Sequence, residues 1–239
     1  MDKFYKINEV INGYKIINFI GQGRYGIVYL GENEKLEKCI IKQLKNEMIE
    51  KSKVNLFYEE AILKDIDNTA FPKFLGRFKD KGREGYILEY IPGPVFEDII
   101  IRDNCIFNRE DIYKVGGQLL DLIEILQKYK VVHRDIRPPN VILREDGSLA
   151  LIDFGLARYV DSKNHKKEID YWYLGDFLIH LYYTTYIPKD KSEKPWYEEL
   201  DLTKNEEVFL KKLMGIKKPY KNIKDIRRDL EKLKAKNSN

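Results

Sequence analysis

Residues 131–140 read VVHRDIRPPN and residues 149–157 read LALIDFGLA. Two apolar runs each end in a polar cluster, and each cluster holds one aspartate, Asp135 and Asp153, eighteen positions apart. Short Val, Ile and Leu runs read as strands, and Pro138, Pro139 and Gly155 just beyond them read as turns. Each carboxylate is therefore expected at the turn-like tip of a short strand, where side chains are free to meet a ligand.

Outward from this pair the chain changes character. Before it, residues 109–129 place Leu119, Leu122, Ile123 and Leu126 on one helical stripe. After it, helices are expected over 170–183, 205–214 and 223–236, the last with Ile223, Ile226, Leu230 and Leu233 at helical spacing, and KAKNSN reads as a frayed tail. Nearer the start, residues 14–45 alternate and are rich in Ile, Val and Tyr, broken by GQGRYG and GENEKLEK, which predicts three short antiparallel strands. A helix is expected over about 47–67, with Leu56, Tyr58, Leu63 and Ile66 as its apolar positions, and FPKFLGRF and GYILEYI read as two more strands. The punctuation IPGP then sets a boundary near Pro92. The expected architecture is α+β: residues 1–91 form a five-stranded antiparallel sheet with one helix, and residues 92–239 form a mainly helical part.

Composition excludes several classes. The 239 residues can bury a sizeable core. A formal charge of +4 from 43 basic and 39 acidic side chains, read as scattered, is a weak argument for a nucleic-acid partner, and none is expected. MDKFYKINEV lacks the apolar stretch of a signal peptide, and the best apolar run, 171–183, contains Asp176 and His180, so no membrane insertion is expected. Cys39 and Cys105 lie far apart without metal-site spacing, which points to a reduced, cytoplasmic setting.

Gly21, Gly23 and Gly26 form G-Q-G-R-Y-G. Glycines at this spacing let backbone N–H groups approach a phosphate, although alone the pattern is equally a glycine-rich hairpin with no ligand. A dinucleotide fingerprint would open a helix, whereas IVYLG continues as a strand. Sixteen residues after Gly26 comes Lys42 at the end of C-I-I-K, and seventeen further lies Glu59. A lysine among apolar residues needs a partner for its charge. Glu59 fits better than the competing Glu60, because Leu63 then falls one turn below it on the same helix face.

This order of parts, GxGxxGxVY, strand lysine, helix glutamate, HRDIRPPN and DFG, resembles the protein-kinase superfamily over residues 14–183. The resemblance implies one two-lobed kinase domain and an ATP-dependent phosphotransferase using Mg²⁺, with Mn²⁺ as a substitute. Asp135 would orient the acceptor hydroxyl and receive its proton. Asn140 and Asp153 would hold the metal. Lys42, held by Glu59, would bind the phosphates beneath the glycine loop. Around the adenine, Leu88 would stand at the gatekeeper place, Glu89 and Ile91 would offer backbone hydrogen bonds, and Ile20, Val28 and Ile142 would sandwich the ring. His133, Phe154, Leu63 and Phe74 would form a hydrophobic stack anchored by Asp170, which makes His133 a packed imidazole and not a base. His165 reads as a solvated loop residue and His180 as a core or groove histidine.

Three departures from the family pattern stand out. Ile40 occupies a place usually held by alanine and would crowd the adenine. Arg137 replaces the lysine usual in serine/threonine kinases, and its planar fork differs from lysine in reach and geometry. Only sixteen residues, FGLARYVDSKNHKKEI, separate Asp153 from Asp170, and the A-P-E signature is absent. Arg134 has Ser162 and Tyr159 as candidate phosphorylated partners, or else a nearby carboxylate or carbonyl; constitutive activity is the preferred reading. Lys163, Lys166 and Lys167 read as a solvated basic loop or as a steering patch for an acidic substrate. The leading expectation is a serine/threonine protein kinase acting on an unidentified protein. A small-molecule kinase and a nucleotide-binding pseudokinase are the alternatives, and oligomeric state stays open.

Overall fold

The computed structural model describes residues 2–23, 26–47, 57–161, 166–188 and 194–237, without the side chains of Phe57 and Asn237. The chain divides into two compact units, Met1–Pro92 and Gly93–Asn239.

The first unit is built on one sheet. Its strands are β1 (Val10–Ile11), β2 (Tyr14–Gln22), β3 (Gly26–Glu32), β4 (Lys38–Leu44), β5 (Phe74–Asp80) and β6 (Arg83–Glu89), joined by helix α1 (Phe57–Asp65). The order is β1-β2-β3-β4-β6-β5 and each neighbouring pair is antiparallel. Five of these strands are the ones expected. The sixth, β1, adds two residues at the edge, too few for an alternation to show in sequence.

Because side chains alternate across a sheet, the register decides what each face carries. Ile27, Tyr29, Cys39, Ile41 and Ile87 share one face and are buried together with Tyr5, Ile11, Ile16 and Phe78. Tyr5 comes from ahead of the sheet. Its N–H donates to the Tyr29 hydroxyl at 3.0 Å, and the Arg83 guanidinium lies 3.4 Å from its ring centroid. The other face receives Val28, Ile40, Lys42 and Leu88, because Val28 pairs with Lys42 and Ile40 with Leu88. Glycine is required at residue 85, where a Cβ would stand 2.1 Å from the Lys42 carbonyl oxygen and 2.7 Å from the Phe78 ring. Without it, β4 and β6 could not approach as they do.

In the second unit, a π-helical turn (Asp98–Arg102) leads into α2 (Arg109–Lys128), followed by α3 (Glu168–Tyr183), α4 (Trp196–Glu199), α5 (Lys204–Leu213) and α6 (Ile223–Asn237). Between α2 and α3 lie two small antiparallel ladders, β7 (Val131–Val132) with β10 (Arg158–Tyr159) and β8 (Val141–Leu143) with β9 (Leu149–Leu151). Asn108 and Asp111 form a capping box at the start of α2, and Thr203 and Glu206 form another at the start of α5.

Glu206 does more than cap. Its carboxylate also accepts from Arg109 Nε at 2.9 Å, Tyr113 at 2.6 Å and Tyr182 at 2.9 Å, so one fully buried acid ties α2, α3 and α5 together. Burial alone would raise its pKa, but the hydrogen bonds from Thr203, Tyr113 and Tyr182 outweigh it and the net shift is downward. Gly175 lets α3 meet α5, since a Cβ there would lie 2.8 Å from Cβ of Leu213. Among the described residues no helix is long and apolar enough to cross a membrane.

Candidate active site

The first unit presents the residues read as nucleotide-facing. Gly21 pairs with Val28 and Val28 with Lys42, which sets the glycine-rich turn, an apolar side chain and the lysine in one row across the sheet. The N–H of Gly23 donates to the Gly26 carbonyl at 2.9 Å and closes the turn. Among the described residues nothing lies where a Cβ of Gly21 or Gly23 would point, while a Cβ at Gly26 would meet the Gln43 carbonyl at 2.7 Å. The turn's Arg24 and Tyr25 lie outside the described residues.

Lys42 Nζ donates to both carboxylate oxygens of Glu59 at 2.9 Å, and both side chains are buried. Desolvating two charges is costly, and the symmetrical, short pairing is what offsets it. Glu60 faces elsewhere, bound to Lys64 at 2.6 Å and to Arg77. The choice of Glu59 over Glu60 thus agrees with the geometry, and the reason is helical spacing: Glu59 shares its inward face with the buried Ile62 and Leu63.

Ile40 stands opposite Leu88, half-buried on the same face as Lys42. Glu89 donates its backbone N–H to the Lys73 carbonyl at 2.9 Å, so any bond it offers a ligand comes from its own carbonyl. Ile91 is buried, whereas Ile20 is 52% exposed beside the register shift of β2.

The second unit carries the two aspartates. After β7, a 3₁₀ turn at Pro138–Asn140 follows the fixed φ of proline and bends the chain back. The N–H of Arg137 then donates to the Asp135 carbonyl at 3.0 Å and that of Asn140 to the Arg137 carbonyl at 2.8 Å. Within this knot Asn140 Nδ2 donates to the Asp135 carbonyl at 2.9 Å and to its Oδ2 at 2.8 Å. Arg137 adds a two-pronged contact, Nε to Oδ1 at 2.5 Å and Nη2 to Oδ2 at 3.1 Å. That hydrogen bonding is the main reason the Arg137 pKa is raised, with Asp153 contributing at longer range.

Asp153 has a left-handed backbone, φ 62°, and opens a 3₁₀ turn at Phe154–Leu156 by accepting from the Gly155 N–H at 3.3 Å. Arg134 is also left-handed, φ 67°. Such a conformation is costly for a bulky residue and persists only where the surroundings hold it. Here Asp170 does so, accepting the His133 N–H at 2.9 Å and the Arg134 N–H at 2.8 Å. Complete burial pushes the Asp170 carboxyl up to about 6, against the lowering effect of those two bonds.

His133 is fully buried with its ring 4.8 Å from that of Phe154, consistent with a packed imidazole. Arg134 Nη1 reaches the Leu156 carbonyl at 3.4 Å, the carbonyl alternative to a phosphorylated partner. Ser162, Lys163 and His165 lie outside the described residues; Lys166 and Lys167 stand just ahead of α3. His180 Nδ1 lies 2.8 Å from the Asp176 carbonyl oxygen one turn back, on an exposed helix face. Ile142 is buried on β8, opposite Ala150.

The donor set suits a hard cation. Asn140 spends its amide nitrogen on Asp135, which leaves Oδ1 as the free end of the amide, and Asp153 is exposed. No cluster of three or more His, Cys, Asp or Glu capable of holding a metal occurs among the described residues. A cation here would therefore take one or two protein oxygens and complete its shell with phosphate and water, as Mg²⁺ does.

An antiparallel sheet bearing a buried Lys–Glu pair, with an Asp–Arg–Asn knot and a DFG turn in the helical unit, defines a kinase. A family model described as protein kinase domain matches residues 14–184, and the chain belongs to that family. It is 35% identical over 227 residues to the probable serine/threonine-protein kinase YbdM of Bacillus subtilis (strain 168), across 92% of this chain and 88% of that protein. It is 27% identical to the serine/threonine-protein kinase OXI1 of Arabidopsis thaliana, across 61% of this chain and 37% of the relative. It is likewise 27% identical to the cAMP-dependent protein kinase catalytic subunit of Dictyostelium discoideum, across 72% of this chain and 30% of the relative. Members of the family use ATP and a divalent metal.

Sequence reasoning missed Tyr5 and Glu206. Tyr5 lies ahead of any recognisable pattern, and Glu206 is indistinguishable from any other helix acid until the fold buries it.

Proposed function

We propose that this chain is a serine/threonine protein kinase that transfers the γ-phosphate of ATP to a protein hydroxyl with Mg²⁺ as the metal. Asp135, buried and fixed by Asn140 and Arg137, orients the acceptor hydroxyl and takes its proton late in the transfer. Lys42, extended by Glu59, binds the non-transferred phosphates. Asn140 and Asp153 hold the metal, which when bound offsets the charge on the transferring phosphoryl group. Arg137 releases part of its hold on Asp135 to grip the γ-phosphate, since its fork has donors enough for both. Gly21, Gly23 and Gly26 cover the phosphates; Leu88, Glu89, Ile91, Ile20, Val28, Ile40 and Ile142 receive the adenine. Two free thiols, Cys39 buried and Cys105 exposed, support a cytoplasmic setting.

The observation that carries the reading is the Asp135–Asn140–Arg137 knot, which holds a carboxylate in one orientation with its amide and guanidinium partners already in place. Incubation with labelled ATP and Mg²⁺ beside an Asp135→Asn variant, against generic proteins and a metabolite panel, tests it. Label on protein serine or threonine that vanishes in the variant is the expected result. Label on a metabolite alone, or ATP binding without transfer, overturns it.

A further inference from the structure

Away from the kinase motifs, α5 and α6 flank a half-open cavity of about 300 Å³. Lys204, Val208 and Lys212 recur every four residues along α5, and Asp229, Lys232, Leu233 and Lys236 follow the same helical spacing on α6, so one face of each helix is turned to the same space. The middle is apolar, with Val208, Leu233 and the rings of Phe209 and Tyr220, which pack 6.0 Å apart. The rim is cationic.

Four lysines face a single carboxylate, Asp229, and that carboxylate is heavily engaged. It accepts from Lys212 at 3.1 Å, from the Tyr220 hydroxyl at 2.9 Å and from Lys232 at 3.4 Å. Lys204 and Lys236 have no carboxylate within ion-pair distance among the described residues. The segment they come from is basic as a whole: residues 204–236 hold twelve Lys and Arg against five Asp and Glu, of which Arg227 pairs elsewhere, with Asp121 and Glu124.

A lysine rim around an apolar floor repels itself and attracts a ligand that combines several negative charges with an uncharged body. We propose that this cavity binds a multiply phosphorylated anion through Lys204, Lys212, Lys232 and Lys236, separately from the residues assigned to ATP. The phosphates meet the lysines, and the body of the ligand lies on Val208, Phe209 and Leu233. The assignment does not depend on phosphotransfer activity.

Calorimetric titration of the full chain with inorganic tripolyphosphate tests the site, with phosphatidylcholine vesicles carrying phosphatidylinositol bisphosphate against plain phosphatidylcholine vesicles as a second arm. Lys204→Gln with Lys236→Gln is expected to weaken binding about tenfold or more, because two charge-assisted contacts are removed from exposed positions. Lys217→Gln with Lys218→Gln, equal in charge and outside the cavity, is expected to have a much smaller effect. Tripolyphosphate binding lost in the first double variant supports a soluble phosphorylated ligand; binding of the anionic vesicles alone, lost in the same variant, supports a phosphate headgroup. Absence of binding in both arms, or equal loss in the two double variants, overturns the proposal.

Discussion

Arg137 holds both carboxylate oxygens of Asp135, Nε to Oδ1 at 2.5 Å and Nη2 to Oδ2 at 3.1 Å, across only one intervening residue. A lysine at this position could offer only a point charge, whereas the guanidinium fixes the plane of the carboxylate. Arg137→Ala is expected to lower kcat by about 10² to 10³, the scale of one preorganised donor, with thermal stability little changed because the side chain is half exposed. Steady-state kinetics with a peptide or protein acceptor would check it; a variant with near-normal kcat would remove Arg137 from the mechanism.

The Lys42–Glu59 pair makes separate statements about stability and activity. Lys42→Met leaves a buried carboxylate without its cation and is expected to cost about 3–5 kcal/mol as well as activity. Lys42→Met with Glu59→Gln should recover much of that stability and none of the activity. Denaturant unfolding of both variants beside a kinase assay closes the cycle. If the double variant is no more stable than the single one, the lost stability does not come from the unpaired carboxylate.

Ile40 lies half-buried opposite Leu88 on the sheet face that carries Lys42. Ile40→Ala removes the carbons that crowd the proposed adenine position, at a cost to folding of about 1 kcal/mol for a half-buried side chain. KM for ATP should fall with kcat nearly constant, the pattern of a change in uniform binding. An unaltered or higher KM would mean the adenine never meets this side chain.

Asp170 links pH to stability. Its folded pKa, about 6, lies above the ordinary 3.8, so its stabilising contribution is full below about pH 4 and is lost as pH rises to and through 6. Asp170→Asn has no such titration and gives up one of two N–H bonds, at about 1–3 kcal/mol. The advantage of the native residue over asparagine should therefore be larger at pH 4 than at pH 7. Parallel unfolding curves at both pH values measure this, and a constant difference would contradict it.

Reaction chemistry made much of the site legible in sequence. The order of GxGxxG, strand lysine, helix glutamate, HRDIRPPN and DFG carried the resemblance that singles out Lys42, Glu59, Asp135, Asn140 and Asp153, and the structure pairs Lys42 with Glu59 and Asn140 with Asp135. Helix α2 was readable within a residue because its apolar stripe lies in one continuous stretch. Strand β1 was not, since two residues carry no periodicity.

What only the tertiary structure decided depends on segments distant in the chain. Tyr5 becomes core because Tyr29, Phe78 and Arg83 close around it, and Glu206 becomes a hub because α2 and α3 bring Arg109, Tyr113 and Tyr182 to one oxygen. Lys204, Lys212, Lys232 and Lys236, spread over 33 residues of sequence, come to line one cavity only because α5 and α6 pack together. Residue identity sets what a side chain can do, and which neighbours it does it with is settled only when packing brings distant segments within reach of short-range forces.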